Sequence, residues 1–488
     1  MEVYSSDVLI LGGGFSAYMA AYTMLKKRKK DVVTIVTPNR GGEAAHELAG
    51  MALPRMTGGD TIGQFVQDTL SAGAFQNDPS MVKLLCEEST QVFDRVRSLM
   101  EFGPPEEGSR FRPVTGDKKA LWKELSETVN KRCSVKEGCY GLRLFIQDGR
   151  VQGALCYDDI NHAFFAVSAG TVVLATGGYG DLYRENADVK SLRDIGSGIG
   201  LAYYAGAEMA DLEFIAFQEE GVTSLGGVVI DSQCRTSVPG LLACGGVTAG
   251  VHGAGLLKGN AETAALVFGR KAGHTLTRME FLPGADNDAL YKWVNETVFI
   301  GQKDQIEAYA RIRREIAHTL NTSAGEIRTQ EKIEDGLKII AHLQHELNDL
   351  DLCPLRQVCE KMELEFALIA ARLTLLASLE REECRGCYKR AVIRMVEKPA
   401  EEETTEEIKA EAPAESVPDE AETPESEAGS EEAAEPDEDT AVVCEPPKEP
   451  EYEEKIEFIE KEVKPYRVTM KLRNMILMPK KETWNTEA

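Results

Sequence analysis

The sequence predicts an α/β protein with a helical C-terminal half and a long acidic tail. Three observations predict it. A short apolar run, Val8-Leu9-Ile10-Leu11, leads into Gly12-Gly13-Gly14 and a helical segment, Ala17 to Leu25. A second apolar run, Thr171 to Ala175, ends likewise in Thr176-Gly177-Gly178-Tyr179-Gly180. Over residues 276–395 the apolar residues fall at helical spacing, and over 401–440 they all but vanish.

The opening run describes a strand, a tight turn and a helix whose N-terminus faces a pyrophosphate, the start of a Rossmann-like unit. Gly12 makes the turn, Gly14 lets backbone approach the phosphates, and Ala17 lets helix and strand close up, with Phe15 and Ser16 between them. Asp31 to Val36 supplies a second strand that ends at Thr37, where such folds often carry an acidic residue for a ribose hydroxyl. Thr37 is therefore the candidate contact at that end. Much later, Val251-His252-Gly253-Ala254 and Gly259-Asn260 form a second glycine-bearing segment, and the two halves are expected to hold one dinucleotide between them. With Ala175, Thr176, Gly177 and Gly178 added, these are the candidate cofactor contacts. No residue is assigned as catalytic, and none as a metal ligand.

Between the halves, residues 46–132 read as a helical insertion, with a helical period in Met81, Leu84, Leu85, Val92, Phe93 and Val96. Leu142 to Ile146, Gln152 to Tyr157 and Ala163 to Val167 look like an antiparallel meander, turning at Gln147-Asp148-Gly149-Arg150. The expected domains are 1–275 for the nucleotide-binding part and 276–396 for the helical part. An acidic linker over 397–450 and a C-terminal docking segment over 451–488 follow. The linker is Glu, Ala, Pro, Ser and Thr, a composition that cannot repay the entropy of folding, so disorder is expected. Tyr466 to Leu472 alternates polar and apolar, as a short strand would.

The formal charge of −26 belongs to that tail: residues 401–460 carry −22, residues 461–488 carry +4, and −8 remains on 1–400. With Lys26 to Lys30 as the one basic cluster, nucleic acid is excluded as an expected partner. The apolar stretch Phe366 to Leu379 is broken by Arg372 and too short to span a bilayer, so any membrane association would come through partners. The absence of a leader pattern and the odd count of 11 cysteines point to a cytoplasmic protein with reduced thiols.

Several segments, in order, resemble the flavoprotein subunits of succinate dehydrogenase and fumarate reductase, with L-aspartate oxidase as a relative. They are Ala175 to Gly178, Gly196 to Phe217, Gly226-Gly227-Val228, Arg235 to Leu241 and Val251 to Gly273, with Arg385-Gly386 and Arg390 further on. The resemblance covers most of residues 1–395. It implies FAD, with its pyrophosphate at the first helix and its isoalloxazine near His252-Gly253-Ala254. It also implies a protein partner, the candidate being an iron–sulfur protein.

The departures from the family pattern bear on the chemistry. The family carries a capping segment with a proton-donating arginine, where this chain has only Gln218 to Leu225 between Phe217 and Gly226. A family histidine that holds the dicarboxylate falls at Val222 and a carboxylate-clamping arginine at Leu256, although Lys258 offers a cation nearby. The histidine that bonds covalently to the flavin in the family aligns near Gly41-Gly42. His46 lies close by, and non-covalent FAD is expected. A glutamate of the family aligns with Gly246. Cys384 and Cys387 form a C-x-x-C, with Cys353 and Cys359 upstream, open to readings as a metal or iron–sulfur site, a redox pair or plain thiols.

The expected function is thus an FAD-binding oxidoreductase acting as an electron-transfer subunit of a larger complex, the dicarboxylate site of the family being missing. A genuine succinate or fumarate oxidoreductase and a non-catalytic assembly subunit with a vestigial flavin site stand as alternatives.

Overall fold

The computed structural model describes residues 1–38, 46–54, 60–105, 107–186, 192–219, 221–397, 452–460, 466–473 and 476–483. The acidic linker lies outside the described residues from residue 398 on, as do Gly41-Gly42 and Met475.

β1 (Glu2–Leu11), α1 (Phe15–Leu25) and β2 (Val33–Thr37) open the chain. α1 buries every residue from Ser16 to Leu25, so its small and apolar side chains face packing neighbours on all sides. β3 (Gly50–Ala52), α2 (Ile62–Ala72), α3 (Pro79–Val96), β4 (Phe111–Pro113) and α4 (Ala120–Asn130) fill the insertion. α2 begins where Thr61 Oγ1 accepts from the Gln64 amide, and α3 where Asp78 accepts from the amides of Ser80 and Met81. β5 (Ser134–Glu137) brings the chain back into the main sheet.

β6 (Cys139–Gln147), β7 (Arg150–Asp158) and β8 (Ala163–Leu174) follow and pair antiparallel in sequence. Asp148 and Gly149 both have positive φ (53° and 69°), the type I′ geometry that Asp-Gly favours in a two-residue hairpin. The short elements α5 (Ser197–Ala205), β9 (Met209–Ala210), β10 (Ile215–Gln218), β11 (Gly221–Ser224), β12 (Gly227–Val228) and β13 (Leu241–Ala243) then lead to α6 (Asn260–Arg278).

The main sheet has the order β5-β2-β1-β8-β7-β6, with β13 also paired to β8. β5, β2, β1, β8 and β13 are mutually parallel. β1 is buried only over Val8–Leu11, the half from which the glycine turn emerges.

α7 (Asn287–Thr297), α8 (Ile306–Ser323), β14 (Ile327–Arg328), α9 (Gln330–Asp349) and α10 (Val358–Glu380) make up the helical part. α10 contains the apolar stretch Phe366 to Leu379 and exposes Arg372. Among the described residues no helix is long and apolar enough to cross a membrane. β15 (Lys389–Glu397), β16 (Tyr452–Phe458), β17 (Tyr466–Arg473) and β18 (Ile476–Thr483) end the chain.

Met1–Val392 and the described residues from Phe458 onward form one compact unit, which holds both the main sheet and α7 to α10. Ile393–Glu457 forms a second, whose described residues include an ion pair between Arg394 and Glu457 at 3.4 Å. Within the first unit β17 pairs antiparallel with β9, Thr469 opposite Ala210 and Met470 opposite Met209. The resulting sheet runs β12-β9-β17-β18. Val468 and Met470 are buried there, as the alternation of the sequence demands.

Candidate functional site

Leu11 stands opposite both Val36 and Leu174, and Leu174 opposite Ala243, so four parallel strands end at the same level. The loops leaving them at Thr37, Gly12, Ala175 and beyond Ala243 border one cavity of about 430 Å³, in the position where open α/β sheets take ligands. Its wall includes Gly12, Gly14, Phe15, Ser16, Thr37, Ala175, Thr176, Gly177 and Gly178.

Gly12 and Gly14 do different things. Gly12 has φ 120°, and a Cβ there would lie 2.0 Å from the Ala175 carbonyl oxygen, so two backbones touch at the crossing of the two turns. A Cβ at Gly14 would meet nothing within 4 Å, which leaves a cradle open to the cavity. α1 begins at that residue without a side-chain cap and without an acidic residue in its first turn. Its N-terminal amides and dipole are therefore free to face an anion. Thr176 adds a buried hydroxyl without a protein partner. This donor set fits a pyrophosphate.

Ala17 is fully buried beneath the turn. His252, Gly253, Ala254, Gly259 and Asn260 lie off this cavity wall, along the approach to α6. The Ala254 amide donates to Gly73 O, Gly259 caps α6 with φ 84°, and Asn260 Nδ2 donates to Thr69 Oγ1 at 3.2 Å. Burial lowers the His252 imidazole to about 4, so this ring is neutral near pH 7.

His46 and residues outside the glycine motifs share this wall. At the Thr37 end His46 stacks on Trp122, ring centroids 3.7 Å apart and 18° between planes, and Trp122 meets Phe15 edge-on. Burial lowers the His46 imidazole against a hydrogen bond with the Gly13 backbone. At the second turn Asp194 Oδ1 accepts from the Gly178 amide at 3.1 Å. Burial, with Asp181 beside it, raises the Asp194 carboxyl to about 6. α6 contributes Ala261, Glu262 and Ala265, and α10 contributes Cys359, Met362, Glu363 and Phe366. The α10 residues follow the i, i+3, i+7 spacing of a core stripe, which is why periodicity alone reads them as core.

Where the family cap would enter, Phe217 pairs with Val222 and Gln218 with Gly221 in a tight hairpin. Val222 packs against the main core. Leu256 packs beside Phe214, Ala216, Leu225, Ala254 and Tyr388. Lys258 lies over the Phe111 ring, 4.8 Å from its centroid.

The C-x-x-C is built into the backbone: the Arg390 amide donates to Cys384 Sγ and the Cys387 amide to Ala254 O. Burial raises the Cys387 thiol to about 11. Among the described residues no group of three or more His, Cys, Asp or Glu is placed to hold a metal ion.

The model of the FAD binding domain family matches residues 7–225 and 220–261, and that of the fumarate reductase flavoprotein C-terminal family matches residues 313–396. The chain belongs to the fumarate reductase and succinate dehydrogenase flavoprotein family. It is thus an FAD-binding flavoprotein oxidoreductase. One component of the CoM/CoB fumarate reductase of Methanothermobacter marburgensis is 22% identical over 526 residues, covering 80% of this chain and 94% of that protein. An uncharacterized FAD-dependent oxidoreductase of Methanocaldococcus jannaschii is 22% identical over 511 residues, covering 79% and 93%. An L-aspartate oxidase of Mesorhizobium japonicum is 31% identical over 227 residues, 43% of each chain.

Among solved structures, the FrdA chain of the E. coli quinol fumarate reductase superposes with a TM-score of 0.72 at 14% identity, covering 100% of this flavoprotein and 98% of that chain. Sdh1 of Mycobacterium smegmatis gives 0.68 at 19% identity, covering 80% and 89%. At these identities the likeness is one of fold.

Proposed function

We propose that this flavoprotein is a cytoplasmic electron-transfer subunit of a larger complex, holding FAD non-covalently and lacking the dicarboxylate site of its family. The observation that carries the proposal is the apolar packing of Val222 and Leu256, the two positions where the resemblance puts a histidine and an arginine. A C4 dicarboxylate needs cationic forks at both ends and a positioned proton donor. Hydrocarbon side chains in packed clusters offer neither. Lys258 is held over Phe111 by its charge, which accounts for it without a substrate.

Bound FAD supplies the redox chemistry, and the residues of this chain seat and orient it. Gly12, Gly14 and the start of α1 take the pyrophosphate, and Thr37 takes the adenosine end. The turns at Ala175–Gly178 and Gly246 carry the cavity on toward the flavin end. Non-covalent attachment is supported by His46. Its ring is stacked on Trp122 and tied to the Gly13 backbone, at the phosphate and adenosine end of the cavity. An iron–sulfur protein is proposed as the partner because FAD without a substrate site needs another protein to deliver or remove electrons.

The test is purification of the protein with its native partners, followed by acid precipitation and a succinate titration. The expected result is flavin released into the supernatant, an absorbance spectrum that succinate leaves unbleached, and a co-purifying iron–sulfur protein. Flavin retained on the precipitate overturns the non-covalent assignment, and bleaching by succinate restores the family reaction.

A further inference from the structure

We infer that the Glu262 carboxylate is a cofactor ligand, accepting hydrogen bonds from the hydroxyl chain that joins pyrophosphate to flavin. The inference rests on the FAD reading above and deepens it.

Helix packing sets the position of Glu262. A Cβ at Gly269 would lie 2.6 Å from Ser16 O, and one at Gly273 would lie 2.5 Å from Ala20 O, so α6 and α1 run side by side in the same direction. Glu262 precedes Gly269 by seven residues, about 10 Å along the axis. That carries it past the start of α1 and into the cavity, whose wall it lines beside Ala261 and Ala265. α1 has His46 and Trp122 on its other flank, toward Thr37. Glu262 therefore sits across the pyrophosphate seat from the adenosine end.

The chemistry of the carboxylate narrows its partner. Among the described residues Glu262 has no ion pair and no side-chain hydrogen bond, only the bond to its own amide. Burial alone pushes the carboxyl up. A half-buried carboxylate without donors is costly, so the group is stabilised by whatever donor enters the cavity. Phosphates repel it, and the ring system carries its one N–H donor at the pyrimidine edge, away from the atom that bears the linking chain. Hydroxyl groups on the linking chain are the donors within that region of a dinucleotide. Gly246, on the same wall, contributes only backbone there.

The test uses the FAD-stripped full-length protein, titrated separately with FAD and with ADP, which samples the adenosine and pyrophosphate seats alone. Glu262→Leu is expected to weaken FAD by about tenfold, the loss of one hydrogen bond to a charged group, and to leave ADP unchanged. Glu262→Gln, which keeps an acceptor, is expected to lose less. Unchanged FAD affinity in both variants overturns the assignment, as does an equal loss for FAD and ADP, which would mark a structural role. A wild-type protein that takes up ADP but not FAD, or neither, overturns the FAD reading itself.

Discussion

Asp211 and Arg467, 256 residues apart, meet as a buried ion pair: Arg467 Nη2 lies 2.8 Å from Asp211 Oδ2, and Nε donates to both carboxylate oxygens. Asp211 holds φ 62°, a conformation that side-chain-bearing residues rarely adopt. The pair pins β17 at the place where it pairs with β9. Removing only one partner strands a charge in the interior. Arg467→Leu is expected to cost about 3–5 kcal/mol in urea unfolding. Asp211→Asn combined with Arg467→Leu is expected to recover much of that loss, because Asn tolerates the same backbone and carries no charge. A single variant as stable as the parent would show that the pair contributes nothing.

Gly12 and Gly14 are expected to separate folding from binding. Gly12→Ala places a methyl group against the Ala175 carbonyl in a strained backbone, so the cofactor-free protein itself should lose several kcal/mol, on the order of a severe core substitution. Gly14→Ala, at φ −86° and facing open space, should change cofactor-free stability by less than about 1 kcal/mol while weakening FAD at least 100-fold. Thermal melts and FAD titrations on the two variants read this directly. Equal melts would remove the distinction.

Two buried groups with opposite shifts should contribute to the pH dependence of the cofactor-free protein. Asp194 rises from 3.8 to about 6 in the folded chain, so its contribution is fully present below 3.8 and lost as pH climbs to about 6. His252 falls from 6.5 to about 4, so its contribution is fully present above 6.5 and lost as pH drops to about 4. Between about 4 and 6 the two slopes oppose, each worth on the order of 3 kcal/mol across its window. Asp194→Asn should leave stability rising with pH relative to the parent, and His252→Asn should leave it falling. Urea midpoints at three pH values in this range decide it, and variants whose midpoints run parallel to the parent's refute it.

Thiol chemistry follows burial. The Cys86, Cys133 and Cys244 thiols are pushed up to about 12, burial being the main cause for each. In the native protein at pH 8 they should resist iodoacetamide over a period that fully alkylates the unfolded chain. Mass mapping of alkylated peptides would expose any exception.

What the sequence discloses and what it hides divide along contact range. The turn at Gly12–Gly14 is legible because strand, turn and helix are neighbours in the chain, and the second turn at Thr176–Gly178 for the same reason. The alternation over Tyr466–Leu472 marks a strand, but nothing local in it names Met209 and Ala210 as the partners. Glu262 reads as one more acidic residue in a helix until α6 is laid beside α1. Cys359, Met362 and Phe366 have the spacing of core residues, belong to or pack against the core, and also border the cavity. His252, Gly253 and Ala254 carry a strong local signature yet lie off the cavity wall, since chain connectivity does not set their direction.

The pairing of β17 with β9 also orders events at the ribosome. Domains fold as they emerge, N-terminal parts first. Here β9 and Asp211 emerge long before the residues that complete them. Until residue 470 is free, the nascent chain carries an open strand edge and an uncompensated interior carboxylate, the kind of surface that invites wrong pairing and chaperone capture. The sheet that closes this flavoprotein is therefore completed only when residues far downstream of β9 have left the ribosome.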